Sequence, residues 1–376
     1  MNFGFNEEQE LLRSTARKFF ENECPSTVVR GLMETPEGMT PALWTKLAEQ
    51  GWLGLIYPEA DDGLGLGLVD LVVLMEEMGR AVVPGPYFST LLLGGLALLE
   101  AGSDAQKKEW LPRIATGQAR VTLAWMEPSA ALGAEGVTLP AVAKGATVTL
   151  SGTKLFVPDA HTADAIVVAA RTGTGTTEDG IGLYLVPKGA RGLEVRLLPT
   201  MDQTRKLCEV TLKDVTVGGD ARLGGAGGRA LGRVLDRATV GLCAEMCGGA
   251  QRVLDMTVEY AKIRQAFGRP IGSYQGVKHR AADMLVDVEN SKSITYYAAW
   301  ALDEGVPEGP LAVSMAKAYA SDAYRRVAGA GIQLHGGIGF TWEHDLHLYF
   351  KRAKGSEFTF GDATYHRERV AQLVHL

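Results

Sequence analysis

Tyr260-Ala-Lys-Ile-Arg-Gln-Ala-Phe-Gly-Arg-Pro-Ile-Gly-Ser-Tyr-Gln-Gly-Val-Lys-His279 ends one long helical pattern, turns through Gly268, Pro270 and Gly272, and opens another. Gly and Pro are the strongest local breakers of a helical run. Around the turn stand a cation, an aromatic ring and an amide: Arg264, Phe267 and Gln275. Such a group can grip a ligand that is anionic at one end and aromatic at another, because a guanidinium donates two parallel hydrogen bonds to an anion.

Working outward from this turn, the C-terminal part reads as helices. One pattern runs from Leu231 to about Gln265, another from Ser273 to about Glu304, and a third from Leu311 to Gly329. Two more cover about His344 to Gly355 and Ala363 to Val374. Upstream, Gly218 to Gly228 is a glycine-rich connection. Before it lie β-prone runs at Thr147–Leu150, Ala165–Val168, Gly182–Val186 and Glu209–Leu212, separated by Gly, Pro and Asp. They predict short antiparallel strands. The first ~120 residues are again helical. Asn6 and Gln9 form a predicted capping box, and Trp44–Leu53 and Leu68–Met78 are amphipathic. The Gly-rich tract Asp61–Gly67 does not follow a strand, so it reads as a loop and not as a phosphate cradle. The predicted domains are residues 1–120, 121–228 and 229–376.

The chain has 376 residues, 46% of them hydrophobic and 22% charged, as in an ordinary globular protein. Its net charge of -6 argues against general nucleic-acid binding, which depends on basic surface. No apolar run reaches the ~18 residues of a membrane span, and the first residues lack a basic-then-apolar leader pattern. Leu91–Leu99 is apolar but short, and predicts a buried helix. Four cysteines in no metal-binding pattern point to a reducing, cytoplasmic setting. Cys243 and Cys247, one helical turn apart, read as packed thiols.

The order of elements, the stretch Tyr260–His279 and the stretch Gln333-Leu-His-Gly-Gly-Ile-Gly-Phe340 together resemble the acyl-CoA dehydrogenase family over nearly the whole chain. The resemblance implies an α+β fold with an N-terminal helical domain, a middle β-barrel domain and a C-terminal four-helix bundle. It also implies FAD, held across a subunit interface. Arg264 would pair with the pyrophosphate, Phe267 would pack beside the cofactor, and Gln275 would lie along it. Gln333, Gly336 and Gly337 would approach the adenosine half of a FAD bound mainly by the neighbouring subunit, since glycine lets backbone come close. His335 shows no partner in the sequence and reads as a packing or capping histidine.

The middle segment departs from the family pattern. Met126 stands where a flavin-directed threonine is usual, in Trp125-Met-Glu-Pro-Ser-Ala-Ala-Leu-Gly133, and the family's Gly-Ser-Asp element is absent. Phe156 can still stack on the isoalloxazine, whereas Pro158 supplies neither a hydroxyl nor an N–H.

Dehydrogenation of an acyl-CoA needs a carboxylate for the α-proton. The usual position, a glutamate near the C-terminus, matches Phe360 here, and an alternative position on the first long C-terminal helix matches Ala238. Neither can take a proton. Glu245, seven residues after Ala238 on the same predicted helix face, is the expected base. Its bland alternative is a salt bridge to a neighbouring helix. Asp362 is a second candidate, and a chain without a base is the third reading.

The resemblance implies an FAD-dependent acyl-CoA dehydrogenase giving a trans-2-enoyl-CoA, with electrons leaving to an electron-transferring flavoprotein. The displaced base and the glycines near Glu245 hint at a wide pocket for a branched, cyclic or steroid-like acyl group. The expected assembly is a homo-oligomer, dimer or tetramer, or a heterotetramer with a related subunit. Two other readings stay open: a half-site subunit of a heteromeric dehydrogenase, and a flavin monooxygenase on the same fold.

Overall fold

The computed structural model describes residues 4–376. α1 (Glu7–Glu23) starts at the predicted capping box: Asn6 Oδ1 accepts the Gln9 N–H at 2.8 Å, and Gln9 Oε1 accepts the Asn6 N–H at 3.1 Å. These bonds satisfy two donors that a helix start otherwise leaves open. α2 (Ser26–Met33), α3 (Pro41–Glu49) and α4 (Leu68–Arg80) follow. A π-helical turn, Ser89–Gly95, runs into α5 (Leu96–Ala101), and α6 (Asp104–Ala115) ends the segment. The apolar Leu91–Leu99 stretch is therefore helical, and it is buried through Leu98.

The seven strands of the middle segment are β1 (Val121–Ala124), β2 (Ala141–Lys144), β3 (Thr147–Pro158), β4 (Ala165–Arg171), β5 (Ile181–Pro187), β6 (Leu193–Leu198) and β7 (Leu207–Gly218). They form two sheets, ordered β1-β4-β5 and β2-β3-β7-β6. The sheets enclose one apolar core that includes Leu150, Val168, Val186, Val210 and Val215. A parallel bridge from Pro140 to Arg171 joins the start of β2 to the end of β4, which gives the pair of sheets a barrel-like edge. The antiparallel expectation also fails where β1 meets β4. β1 pairs with β4 in parallel, Val121 opposite Ala165. The chain between them passes through β2 and β3, and is long enough for the crossover a parallel pair requires.

After this come α7 (Gly227–Ile263), a small hairpin of β8 (Gln265–Ala266) and β9 (Arg269–Pro270), α8 (Gln275–Asp303), α9 (Gly309–His335), α10 (Leu346–Phe358) and α11 (Ala363–Leu373). α9 extends six residues beyond the Gly329 end the pattern predicts. Glycine does not break it there because packing requires one: a Cβ at Gly331 would stand 2.6 Å from Val253 Cγ1 of α7.

The chain divides into two compact units. One runs to Arg30, resumes over Gly67–Val83 and again over Thr239–Leu376. The other comprises Gly31–Leu66 and Pro84–Ala238. In the first unit α1 packs on α4, α4 on α8, and α9 lies at the centre with α8, α10 and α11 against it. The second unit holds both sheets and α3, α5 and α6. All four cysteines are free and buried, and Cys247 Sγ lies 3.7 Å from Thr295 Oγ1 on α8. Among the described residues, no helix is long and apolar enough to cross a membrane.

Candidate functional site

The stretch that opened the sequence reading folds as a tight hairpin on the end of α7. The Arg264 N–H still donates to Tyr260 O at 2.9 Å, the last helical bond, and the Ile271 N–H returns to Arg264 O at 2.8 Å. Between them β8 and β9 pair Gln265 with Pro270 and Ala266 with Arg269. The two loop residues, Phe267 (φ 49°) and Gly268 (φ 79°), are both left-handed, as a two-residue hairpin loop demands. That conformation is costly for a bulky residue, yet it turns the Phe267 ring outward, 95% exposed. Arg264 and Gln275 are exposed too, and among the described residues Arg264 has no ion-pair partner. Tyr274 braces the hairpin: its hydroxyl donates to Ala266 O at 2.8 Å, and the Arg269 guanidinium stacks 4.2 Å from its ring centre.

At the end of α9, Gln333 is exposed and Gly336 takes φ 65°, ψ -140°. An added Cβ at Gly336 or Gly337 would meet nothing within 4 Å, so this backbone faces open space. His335, just before, stacks on Tyr260 of α7 with ring centres 4.4 Å apart. The last turn before Arg264 and the turn at Gly336 are thereby neighbours in the first unit. An exposed cation, an outward ring, two exposed amides and open glycine backbone fit a ligand with an anionic linker and aromatic ends.

Both candidate carboxylates have partners within the fold. Glu245 is buried, 4% exposed, and paired with Arg352 of α10, itself 3% exposed. Its backbone abuts α4, where a Cβ at Gly79 would fall 2.0 Å from Glu245 O. This is the salt bridge to a neighbouring helix that stood as the alternative to a base. Asp362, the second candidate, lies at the start of α11. Its Oδ1 accepts the Tyr365 N–H at 2.8 Å and caps α11. Phe360 and Ala238 are buried and chemically inert.

Two groups that the sequence reading passed over fix the loop around Phe360. Lys317 of α9 is fully buried, and its Nζ donates to Ser321 Oγ at 2.9 Å, Glu357 O at 3.0 Å and Gly361 O at 2.7 Å. Burial pushes this lysine down to about 8. His366 Nε2 lies 3.0 Å from Phe360 O and donates to it, and burial pushes the imidazole down to about 4. A signal existed for Lys317: it is the one charge in the tract Leu311–Ala320. Arg352 stands beside Lys351 and gave no comparable sign.

In the second unit, Met126 and Phe156 are adjacent, with the Leu155 N–H donating to Met126 O at 2.9 Å. The β3–β7 register breaks between Lys154 and Val157, and Phe156 sits in that irregularity at φ 53°, half exposed. Such a bulge re-aims a side chain. Glu127, next to Met126, has a structural task. Its carboxylate accepts from the Thr138 and Leu139 N–H groups at 2.9 Å each and from Lys154 Nζ at 2.7 Å. Burial opposes its charge, but these bonds outweigh it and hold the carboxyl below its usual range. Lys154 is pushed down by burial to about 8.

Three family models match in chain order: the acyl-CoA dehydrogenase N-terminal domain over residues 6–118, the middle domain over 122–215 and the C-terminal domain over 225–375. The chain belongs to the acyl-CoA dehydrogenase family. It is an oxidoreductase acting on CH–CH groups, with FAD as cofactor. It is 35% identical to acyl-CoA dehydrogenase IpdE2 of Mycolicibacterium smegmatis over 369 residues, 98% of each chain. Among solved structures it resembles the Tcur3481–Tcur3483 steroid ACAD variant, at 33% identity and TM-score 0.88 over 98% of each chain. It also resembles the ChsE4–ChsE5 complex from Mycobacterium tuberculosis, at 28% identity and TM-score 0.91, covering 100% of this chain and 99% of that one. The outward Phe267, the exposed Arg264 and the open Gly336–Gly337 backbone fit a dinucleotide.

Proposed function

We propose that this chain is a subunit of a heteromeric acyl-CoA dehydrogenase for a bulky, steroid-like acyl-CoA, and that it contributes the cofactor-gripping half while a related subunit contributes the base. One observation carries this reading. The two positions where the family places its carboxylate hold Phe360 and Ala238, and the nearby carboxylates of Glu245 and Asp362 are engaged by Arg352 and by the start of α11. By contrast, the residues matching the interfacial FAD contacts are present and exposed.

FAD, when bound, would supply the acceptor for the hydride of the acyl β-carbon. Arg264 would donate a charge-assisted fork to the pyrophosphate, Phe267 would pack beside the cofactor, and Gln275 and Gln333 would supply amide hydrogen bonds. Gly336 and Gly337 let backbone approach the adenosine half. In the second unit, Phe156 would offer a ring to an isoalloxazine, and Met126 has no hydroxyl to donate. The α-proton passes to a carboxylate of the partner. The bulky acyl group is suggested by the steroid ACAD relative, the heteromeric assembly by the ChsE4–ChsE5 complex, and an electron-transferring flavoprotein as acceptor by the CarC subunit of the caffeyl-CoA reductase–Etf complex of Acetobacterium woodii.

The test is flavin absorbance and anaerobic bleaching with a panel of acyl-CoAs. The chain is purified alone, or co-expressed with related chains of the same organism that carry a glutamate at the position of Phe360 or Ala238. Bleaching only in co-purified complexes is the expected result. Full flavin content and bleaching by the chain alone would overturn the proposal.

A further inference from the structure

His335 touches more of the cofactor-binding surface than its place between two motif residues suggests. Its ring lies nearly parallel to that of Tyr260, at 21° and 4.4 Å. Tyr260 is the residue whose carbonyl accepts the Arg264 N–H. His335 Nδ1 is 2.7 Å from Gly331 O, one turn back on α9, so Nδ1 carries the proton. At Gly331, α9 packs tightly on Val253 and Thr257 of α7. On its other side, the turn Gly336–Phe340 folds back over the histidine, and a Cβ at Gly339 would stand 3.1 Å from His335 Cβ. The His344 ring closes the remaining side at 4.6 Å. The side chain is 3% exposed, and its Nε2 is buried with no hydrogen-bond partner.

This arrangement has a physical consequence. Backbone beyond the last turn of a helix is held only by what packs on it, because its intrahelical bonds have ended. Both elements matching the FAD contacts begin within four residues of such an end: the Arg264 hairpin after Ile263, and the Gly336–Gly337 turn after His335. The Tyr260–His335 stack joins the two ends. An imidazole that leaves one nitrogen unpaired in the interior forgoes a hydrogen bond, and so holds its place by ring packing and the single bond to Gly331 O.

We propose that His335 is a positioning residue: by stacking on Tyr260 it sets the spacing between the Arg264 guanidinium and the Gly336–Gly337 backbone, so that both reach one dinucleotide. The proposal rests on the reading of these groups as FAD contacts. Its two halves are separable by experiment. Full-length H335A, H335Q, H335F and Y260L are compared with the unaltered chain, each in the assembly that holds flavin, by titration of the apo form with FAD. Amide hydrogen exchange of residues 264–270 and 336–341 is measured on the flavin-free chain. Loss of an aromatic stack predicts FAD binding weaker by roughly tenfold in H335A, H335Q and Y260L, with faster exchange in both segments. H335F, which keeps a ring but no donor, should recover most of the affinity. Unchanged FAD affinity and unchanged exchange in H335A and Y260L would overturn the proposal, as would rescue by H335Q but not H335F. If no variant and no parent binds FAD, the cofactor reading fails, while the exchange data still decide whether the stack couples the two turns.

Discussion

The Arg352 guanidinium meets the Glu245 carboxylate between α10 and α7, with both side chains buried. A buried ion pair is strongly destabilised when one member is removed, because the other charge is left without compensation. Glu245→Gln should therefore cost about 3–5 kcal/mol of stability, and the double variant E245Q/R352M should recover part of it. Urea denaturation of the first unit's helices, followed by circular dichroism, measures both. If Glu245 were the catalytic base, the E245Q enzyme would lose acyl-CoA-dependent bleaching by orders of magnitude. The ion-pair reading predicts an unchanged bleaching rate in the fraction that folds and holds flavin.

Arg264 presents the opposite balance of stability against binding. It is exposed and outside any ion pair among the described residues, so Arg264→Ala should shift folding stability by no more than about 0.5 kcal/mol. Loss of a charge-assisted fork to pyrophosphate should weaken FAD binding by about 1.5–3 kcal/mol, or roughly 10- to 150-fold. Arg264→Lys should restore only part of this, since an ammonium cannot donate as a planar fork. Equilibrium dialysis of FAD together with thermal unfolding separates the two quantities. A variant that binds FAD normally would remove Arg264 from the cofactor site.

Gly336 and Gly337 are adjacent yet differ in what an alanine would do. Gly336 has φ 65° and ψ -140°, a region nearly closed to other residues, whereas Gly337 is not left-handed. Neither Cβ would strike a neighbour. Gly336→Ala should cost about 1–3 kcal/mol through backbone strain alone. Gly337→Ala should leave stability within about 0.5 kcal/mol and weaken FAD binding by closing the approach. Urea unfolding and FAD titration of the pair check this. Equal destabilisation by both would contradict the backbone argument.

Local chemistry made much of this molecule legible. The Asn6–Gln9 capping box, the helical periods and the reversal at Gly268 depend on near neighbours in sequence, and the structure contains each of them. The residues proposed to hold the cofactor stand out in sequence for the same reason, since they lie in short stretches at helix ends. What the sequence could not disclose was long-range pairing. Arg352 is 107 positions from Glu245, and no spacing rule connects them. Lys317 reaches Gly361 across 44 positions, and β1 adds in parallel to β4 although β2 and β3 lie between them in sequence. A carboxylate in an apolar helix announces that it needs a partner; whether that partner is a proton donor or a guanidinium is decided by packing.

The loop at Phe360 gives a pH dependence with a defined sign. His366 is held by burial at about 4, below its ordinary 6.5, with Lys317, Arg369 and Asp362 facing it and its Nε2–H given to Phe360 O. Because the folded pKa is depressed, the unfolded chain binds the extra proton between these values. The stabilisation is complete above pH 6.5 and is lost as pH falls through 4. With the folded value near 4, lowering the pH from 7.5 to 5 should remove about 2 kcal/mol through this group alone. His366→Gln keeps a donor toward Phe360 O but does not titrate, so its stability should fall less over the same interval whatever its value at pH 7.5. Urea unfolding of both proteins at pH 7.5 and pH 5 reads the difference in slope. Parallel losses in the two proteins would show that His366 does not carry the effect.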